Sequence, residues 1–443
     1  MPEKEARKHK KRSTRMRLTD ESRLGYRALF MGVFAGLATG VPVSLLRLIL
    51  TKAGDMRELF LDSARQKFAL VLLGLVMLVF IAVCVIAITR REPAGRGSGL
   101  PDVKDELSGR SDANWLQVLI ARFIGIILTV GSGLAVGREE AGVQLGAVTG
   151  KGLAHCGRRR KGDGAQDEDR LAHKKELLMT YGSGAGFAAA FGAPLAGVAF
   201  VLEKLRREFS REILLGAVAA AITADCVGAY LFGLPPLFEF ADAGSLPLGR
   251  IWMAAALGVV LGLMSVLTIR SALLVNRILK GLRLKGLETV LVFVLLFVLA
   301  IWQPQALGGG YELAGLASQG DLVVRTLLLL LLLKYVFSVI CCASGVPGGM
   351  MLPLMVMGAL AGAAFAQGAG AAMGFAEYHA SSFVLLGMAG CFSAAAQAPI
   401  TAVILMCELS GGFSELLPLS VVAVVSYITA DLLKGCSLLD LRV

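Results

Sequence analysis

Long apolar stretches and short polar ones alternate along almost the whole chain. The apolar stretches cover residues 26–50, 67–89, 115–136, 177–203, 212–232, 249–275, 287–303, 322–341, 350–372, 381–407 and 416–433. Several exceed the roughly 20 residues that a helix needs to cross a bilayer, whereas others are short or are interrupted by Gly and Pro. Interrupted segments are tolerated at membrane depth only where protein or a water-filled cavity covers the freed backbone groups. The pattern therefore predicts an all-α polytopic membrane protein with many tilted and broken helices.

Composition supports a membrane location. Hydrophobic residues make up 56% of the 443 positions, and the mean hydropathy is +0.70. No cleavable signal peptide is visible, because the chain starts with a long basic tail instead of a short charged segment before an apolar core. We expect an integral protein of the bacterial inner membrane.

Positive charge is concentrated rather than spread. The net charge of +11 is accompanied by clusters of Lys and Arg in four segments, at residues 1–20, 157–175, 204–211 and 270–285. The positive-inside tendency places these segments, and with them the N-terminus, on the cytoplasmic side. Attraction to an anionic lipid leaflet explains the basic tail more simply than nucleic-acid binding does. The lipid bilayer is therefore the expected partner, and nucleic acid is not.

Cysteine and histidine residues show no pattern of a metal or redox site. The eight Cys residues lie mostly in apolar segments, and the four His residues are not paired at helical spacing. Buried free cysteine behaves as a small apolar side chain. The sequence therefore predicts neither a bound metal nor any other cofactor.

Two pairs of segments in the chain resemble each other. Residues 182–203 align with residues 387–408 without a gap, at an offset of 205, and Gly, Phe, the Ala pair, Ala-Pro, Val and the final Glu coincide. Residues 137–150 align with residues 349–362 at an offset of 212. Chance similarity between Ala/Gly-rich helices is the alternative, but the shared Ala-Pro and the terminal Glu count against it.

Two similar halves are typical of channels and transporters whose ion site lies near the membrane midplane, between structural repeats. We therefore divide the chain into a basic cytoplasmic tail at 1–24, a first membrane repeat at 25–235 and a second membrane repeat at 236–443. The alignment leaves open whether the repeats are parallel or inverted.

Three glycine-rich breaks each precede an apolar segment. They are Gly97-Ser-Gly-Leu-Pro101, Gly137-Arg-Glu-Glu-Ala141 and Gly345-Val-Pro-Gly-Gly-Met-Met-Leu-Pro353. Glycine lets the backbone approach a bound ion closely, and a helix that starts there presents unpaired N–H groups and a positive dipole end. Each break alone is consistent with an ordinary turn, but the three together on a duplicated membrane scaffold indicate an anion site.

The second break carries three consecutive charged residues, Arg138, Glu139 and Glu140. Charged side chains at the start of a membrane helix are costly, and they usually line a pathway for ions or substrate. The alternative is a loop at the membrane surface whose charges face water.

These motifs resemble those of the CLC family of chloride channels and chloride/proton antiporters, of the prokaryotic type without nucleotide-binding CBS domains. The resemblance extends from about Arg23 to the C-terminus. It implies an inverted duplication, a homodimer and one ion pathway in each subunit. Chloride is the implied substrate, and the antiporter branch exchanges it for protons.

The resemblance also implies roles for individual residues. Ser98 would supply a central hydroxyl ligand, and Glu139 would be the gating glutamate. The backbone amides of Met351 and Leu352 would face the anion. The full anion-binding set consists of Ser98, Gly99, Gly137, Arg138, Gly349, Met350, Met351 and Leu352.

The chain departs from the family pattern at positions that bear on gating and proton coupling. Glu140 stands where the family usually has glycine, and two adjacent carboxylates in a poorly solvated site are not both ionised easily. Leu439 aligns with the tyrosine of the inner anion site. Lys204 follows Glu203, where proton-coupled members carry a second glutamate. Lysine is a poor proton relay near neutral pH, because it is normally protonated.

The chemistry of the motifs suits a conducting pathway. Backbone N–H groups and a hydroxyl bind chloride moderately, whereas a full Lys or Arg charge would hold it too tightly. Ionised Glu139 would compete for the anion position, and it would vacate that position when protonated or swung outward. Arg122 and Lys334 lie inside apolar stretches. They could raise the potential along the pathway, extend toward the interface or pair with acids.

We therefore expect chloride transport that is passive or weakly coupled to protons. A strict chloride/proton antiporter is the alternative, and it would need a substitute proton route through Glu203 or Glu140. A carrier of organic solutes would be expected to show more polar and aromatic side chains in its membrane segments. No nucleophile or metal ligand accompanies Glu139 and Glu140, so we do not expect an enzyme.

Overall fold

The structure, a computed structural model, describes residues 2–64, 67–156, 165–206, 209–233, 246–282, 286–373 and 380–442. The predicted boundary between the repeats, at residues 235 and 236, lies outside these residues. So do the basic residues 158–161 and the side chains of the basic tail at 1–24.

Helices form almost all of the described chain. They are α1 (Pro2–Ala64), α2 (Phe68–Arg91), α3 (Leu100–Leu107), α4 (Trp115–Ser132), α5 (Glu139–Cys156), α6 (Ala165–Phe191), α7 (Pro194–Phe200), α8 (Arg211–Phe232), α9 (Ile251–Gly281), α10 (Leu287–Trp302), α11 (Tyr311–Ser318), α12 (Val324–Ala343), α13 (Met351–Met373), α14 (Ala380–Ala396), α15 (Pro399–Ser410) and α16 (Leu416–Leu432). A π-helical turn at Val201–Arg206 extends α7. The described ranges contain no β-strand, and the predicted all-α class is confirmed.

Seven helices among the described residues are long and apolar enough to span a membrane. They are Gly25–Ala64, Phe68–Arg91, Trp115–Ser132, Arg211–Phe232, Leu248–Gly281, Val324–Ala343 and Met351–Gly370. The helices α10, α14, α15 and α16 are also apolar but shorter. The chain is therefore an integral membrane protein, as predicted.

Two predicted apolar stretches, 177–203 and 381–407, are each broken into a pair of helices. Gly192 adopts a φ of 69° between α6 and α7, and Gln397 adopts a φ of 53° between α14 and α15. A proline begins the second helix of each pair. Proline suits the first helical position, because the N–H that it lacks would have no partner within the helix.

The helices α1–α8 recur in the same order as α9–α16, and the two sets are related as inverted repeats. Gly137 and Gly349 form an antiparallel bridge in which each N–H donates to the other residue's carbonyl oxygen, at 2.7 and 2.9 Å. The ends of the aligned segments also exchange contacts. Glu203 accepts hydrogen bonds from the start of α15, and Glu408 accepts hydrogen bonds from the start of α7. Such reciprocal contacts are what a two-fold axis between the two repeats produces.

Glycines allow the central helices to pack closely. A side chain at Gly146 of α5 would overlap with the carbonyl group of Gly182 in α6. A side chain at Gly358 of α13 would overlap with the carbonyl group of Gly387 in α14. The two contacts are equivalent under the repeat, which explains why the sequence repeats these glycines. Small residues at such crossings are the usual means of helix packing in membranes.

Candidate functional site

The three glycine-rich breaks meet at one place. The Gly97 N–H donates to the Gly345 carbonyl oxygen at 3.2 Å, and the Gly348 N–H donates to the Gly97 carbonyl oxygen at 3.0 Å. The bridge between Gly137 and Gly349 joins the second break to the third. Segments that are far apart in the sequence are therefore tied together through their backbones.

Each break ends at a helix start, as predicted. The short helix α3 begins at Leu100, after Gly97 and Gly99, whose φ values of 59° and 75° lie in the left-handed region that favours glycine. The helices α5 and α13 begin at Glu139 and Met351, which the repeat alignment pairs. Unpaired N–H groups at helix starts favour anions, so the assembled breaks bring together groups that suit an anion.

Glu139 is fully buried at the start of α5. The Tyr311 hydroxyl, at the start of α11, donates a hydrogen bond of 2.5 Å to Glu139 Oε1. Arg138 Nε lies 3.9 Å from the same oxygen, and the Arg138 guanidinium carbon lies 5.4 Å from the centroid of the Tyr311 ring. Gly137 leaves the space for the carboxylate, because a side chain there would overlap with Glu139. The carboxylate is thus held beside the glycine bridge.

A cavity of about 630 Å³ opens next to Glu139. Its lining includes the C-terminal part of α1 and Phe232 at the end of α8. Because Arg211 begins α8 at the other end, the cavity opens on the side opposite to that basic segment. Charged residues of both signs surround Glu139 in this cavity, namely Arg47, Asp55, Arg57, Glu58, Arg138 and Glu312.

Glu140, the neighbour of Glu139, is also fully buried, but its carboxylate points to a different place. The N–H groups of Met350 and Met351 donate to Glu140 Oε1 at 3.1 and 3.4 Å. A side chain at Gly349 would overlap with this carboxylate, so glycine there leaves the space for it. We expected the amides of Met351 and Leu352 to face the anion. The amides that converge on this carboxylate are those of Met350 and Met351, and the expectation for Met351 and Leu352 stays a prediction.

Arg122 and Lys334 are both fully buried, and they occupy equivalent positions at an offset of 212. Arg122 donates hydrogen bonds to three carbonyl oxygens of the loop 95–98. Lys334 donates hydrogen bonds to two carbonyl oxygens of the loop 306–308. Each cation therefore lies behind a glycine-rich loop and holds it in place, and neither extends to the membrane interface.

Ser98 is held from two sides. Its carbonyl oxygen accepts a hydrogen bond from Arg122, and its hydroxyl oxygen accepts one from the Leu100 N–H at 3.4 Å. The second contact uses an oxygen lone pair, so the hydroxyl proton remains a donor. Gln144 of α5 packs against Gly99, where any side chain would overlap with its amide group. Gln144 Nε2 donates to the Ala94 carbonyl oxygen at 2.8 Å and so braces the same loop.

Leu439 lies on the C-terminal 3-10 turn Leu438–Asp440 and is buried. Its N–H donates to Ser437 Oγ at 3.4 Å, and the Ser437 hydroxyl donates to the Ala396 carbonyl oxygen at 3.2 Å. The Leu439 side chain is apolar and offers no hydrogen bond, and its assignment to the inner anion position stays a prediction.

Lys204 and Glu203 point in different directions. Lys204 is buried, and its Nζ donates to the Gln397 carbonyl oxygen at 3.1 Å. Glu203 accepts hydrogen bonds from the N–H groups of Ile400 and Thr401 at 3.1 and 2.8 Å. Glu203 is thus a cap of α15, whereas Lys204 lies against the loop between α14 and α15.

A network of charges lies at the opposite end of α5 from Glu139. Asp112, in the loop before α4, lies 2.8 Å from Lys151 Nζ and 2.6 Å from Lys175 Nζ. These two ammonium groups lower the pKa of Asp112 to about 2. The buried Lys151 also donates to Glu106 of α3 at 3.1 Å. The network ties α3, α5 and α6 together.

The sequence analysis missed Tyr311 and Gln144. Tyr311 follows Gly308, Gly309 and Gly310. In the second repeat this run corresponds to Gly97-Ser98-Gly99 of the first repeat. Extending the alignment to this run would have pointed to Tyr311. Gln144 carried no such signal, because a lone glutamine in an apolar helix is not diagnostic. The described residues contain no group of three or more His, Cys, Asp or Glu side chains that could hold a metal ion.

Comparison with known proteins decides the family. The family profile described as voltage gated chloride channel matches residues 77–431, which is most of the chain. The chain belongs to the voltage-gated chloride channel family. The resemblance drawn from the three motifs is therefore confirmed. This family is one of channels and transporters and not one of enzymes.

Relatives of this family and solved structures extend the similarity to nearly the full length. The H(+)/Cl(-) exchange transporter ClcA of Salmonella schwarzengrund is 28% identical over 432 residues, covering 95% of this chain and 88% of the relative. The crystal structure of a slow cyanobacterial Cl-/H+ antiporter matches with a TM-score of 0.85 at 22% identity, covering 93% of this chain and 96% of that one. A CLC-type fluoride/proton antiporter matches with a TM-score of 0.72 at 22% identity, covering 93% of this chain and 95% of that one. The CLC fold with inverted repeats is thus confirmed.

Proposed function

We propose that this protein moves chloride across a bacterial inner membrane through a pathway gated by Glu139, and that the movement is passive or weakly coupled to protons. The observation that carries the proposal is the meeting of the three motifs. Helix starts, the Ser98 hydroxyl and a buried carboxylate lie together at the glycine bridge of Gly137 and Gly349. Neutral donors of this kind bind an anion without trapping it.

The position of Glu139 supports its role as the gate. The carboxylate is at the start of α5 and lines the 630 Å³ cavity. Arg138, its neighbour in the second motif, lines the same cavity. A carboxylate can take the place of chloride on N–H donors, because both are anions. Movement of this side chain toward the cavity would then open the site to an incoming anion.

The buried cations Arg122 and Lys334 support conduction indirectly. Both donate hydrogen bonds to backbone carbonyl groups of the glycine-rich loops. Their charges raise the potential near the pathway, but neither is placed as a direct chloride ligand. This separation is compatible with rapid release of the ion.

The inner end of the pathway supports weak coupling. Lys204 stands where proton-coupled members carry a glutamate, and its ammonium contacts the Gln397 carbonyl group. A protonated lysine attracts anions and repels protons. Glu203, a possible substitute relay, uses its carboxylate to cap α15.

A strict chloride/proton antiporter is the second candidate function. It is favoured by the names of the relatives, since ClcA is an H(+)/Cl(-) exchange transporter. A substitute relay for this chain would have to include Glu140, which lies one residue after the gate and is buried beside Met350.

We also propose that the N-terminus is cytoplasmic and that the protein is a homodimer with one pathway in each subunit. The basic segments support the orientation, and family membership supports the dimer. The cytoplasmic position of the N-terminus is tested by introducing a cysteine at residue 3 and measuring its reaction with a membrane-impermeant thiol reagent. The homodimer is tested by cross-linking the protein in lipid nanodiscs.

The function is tested with purified protein in lipid vesicles loaded with chloride. Chloride efflux should exceed that of protein-free vesicles and should require an added potassium ionophore to balance charge. Absence of efflux from correctly inserted protein at every pH would overturn the proposal.

A further inference from the structure

The N–H groups that begin α13 are occupied by a carboxylate of the protein itself. Glu140 Oε1 accepts hydrogen bonds from both Met350 and Met351, at 3.1 and 3.4 Å. Those two donors belong to the third motif, whose amides the proposed function assigns to anion binding. Under the proposed function, chloride would need the donors that the Glu140 carboxylate occupies.

The surroundings of Glu140 resemble an anion-binding site more than a salt bridge. Glu140 Oε2 is buried without a hydrogen-bond partner among the described residues. The Arg122 guanidinium interacts with Glu140 through space, while its hydrogen bonds go to the loop that carries Ser98. The carboxylate thus lies between the Ser98 loop and the start of α13.

The glycine bridge provides a separate place for each of the two carboxylates. A side chain at Gly137 would overlap with Glu139, and a side chain at Gly349 would overlap with Glu140. Glu139 lines the cavity and is bound by Tyr311, whereas Glu140 does not line the cavity. The two carboxylates therefore lie beside different glycines of the bridge, and of the two only Glu139 lines the cavity.

We propose that Glu140 occupies the anion position on the Met350 and Met351 amides and closes the pathway as a second gate in series with Glu139. This inference rests on the proposed function, because a gate acts only in a conducting pathway. It differs from the resemblance, which assigns gating to Glu139 alone. A chloride ion that has passed Glu139 must still displace Glu140 before it reaches the inner side.

The test compares Glu140→Ala with Glu139→Ala, a matched pair of adjacent and fully buried glutamates. Chloride affinity is measured by isothermal titration calorimetry on the full-length protein in detergent. If Glu140 fills the site in about nine of ten molecules, its removal strengthens the apparent affinity about tenfold. Glu139→Ala is expected to change the affinity less than Glu140→Ala does. Equal affinities in the two variants, or a larger gain in Glu139→Ala, would overturn the inference.

Bromide soaked into crystals of the two variants locates the ion directly. Anomalous density within hydrogen-bonding distance of Met350 N and Met351 N is expected in Glu140→Ala and not in Glu139→Ala. Density there with Glu140 intact and in place would overturn the inference. If Glu140→Ala does not fold, Glu140→Gln replaces it, and because its amide oxygen still accepts a hydrogen bond, a gain smaller than tenfold is expected.

Vesicle efflux separates failure of this inference from failure of the proposed function. If neither the wild type nor either variant conducts chloride, the proposed function is wrong. If all three conduct and Glu139→Ala alone is sufficient for full efflux, the pathway stands and the second gate is refuted. Glu288→Gln is the control for effects of expression and purification on the variants. Glu288 accepts a hydrogen bond at the start of α10, and glutamine keeps an oxygen acceptor there.

Discussion

The Tyr311 hydroxyl donates a hydrogen bond of 2.5 Å to Glu139 Oε1. The two residues are 172 positions apart, at the starts of helices in different repeats. This bond fixes the proposed gate in a buried position next to the cavity. A side chain at Gly309 would overlap with Leu352, and one at Gly137 would overlap with Glu139, so glycine is needed before both helix starts.

Tyr311→Phe should raise chloride efflux by about tenfold, because a hydrogen bond of this kind contributes roughly 1–2 kcal/mol to the closed position. Efflux from vesicles at fixed protein density is the measurement. Tyr181→Phe is the matched control, since Tyr181 is buried and its hydroxyl donates to the Glu212 carbonyl oxygen at 3.1 Å, away from the motifs. Equal effects of the two changes would show that Tyr311 does not restrain the gate.

Glu139→Gln should leave chloride efflux intact or raise it, and should reduce its dependence on pH. The neutral amide has no charge with which to compete for the anion position, and it does not titrate. Efflux is measured between pH 4.5 and 7.5 for the variant and for the wild type. Complete loss of efflux in a variant that elutes normally from a sizing column would refute the gate assignment.

Glu203→Ala and Glu408→Ala should destabilise the protein by similar amounts, about 1–3 kcal/mol each, because each carboxylate caps the equivalent helix of the other repeat. Thermal unfolding in detergent gives the comparison. If one change destabilises the protein strongly and the other does not, the reciprocal arrangement is contradicted. A specific loss of proton movement in Glu203→Gln, at normal stability, would identify Glu203 as a relay instead.

Asp112→Asn should lower the free energy of unfolding by at most about 1 kcal/mol at pH 7, because the carboxylate is largely exposed. Lys151 and Lys175 lower the pKa of Asp112 to about 2, below the value of about 3.9 in an unfolded chain. A depressed pKa stabilises the folded state above about pH 4, and this contribution is lost as the pH falls toward 2. The gap between variant and wild type should therefore shrink at low pH, and a gap that widens would contradict this reasoning.

Much of the fold could be predicted from local pattern. The first break starts the short helix α3 because glycine permits the left-handed turn at Gly97 and Gly99. The second and third breaks start long helices because mostly apolar runs follow them. The repeat of Gly146 and Gly182 as Gly358 and Gly387 reflects close helix crossings that any larger residue would prevent. These helix starts and helix crossings depend on short sequence segments, and the structure shows them where the sequence predicts them.

The direction of single side chains could not be predicted in this way. Adjacent positions on a helix point about 100° apart, so Glu139 and Glu140 go to different partners. Which of them reaches Met350 depends on packing between segments 210 residues apart. The carbonyl partners of Arg122 depend likewise on a loop 24 to 27 residues away that only the folded chain brings close.

Simultaneous recording of chloride and proton movement in the same vesicles tests the central claim most directly. An outward chloride gradient is imposed, and the external pH is followed while chloride leaves. With Lys204 at the start of the usual proton route, we predict sustained chloride efflux with little uphill proton movement. Proton pumping at a fixed chloride-to-proton ratio, abolished by a protonophore, would contradict passive transport and establish the antiporter.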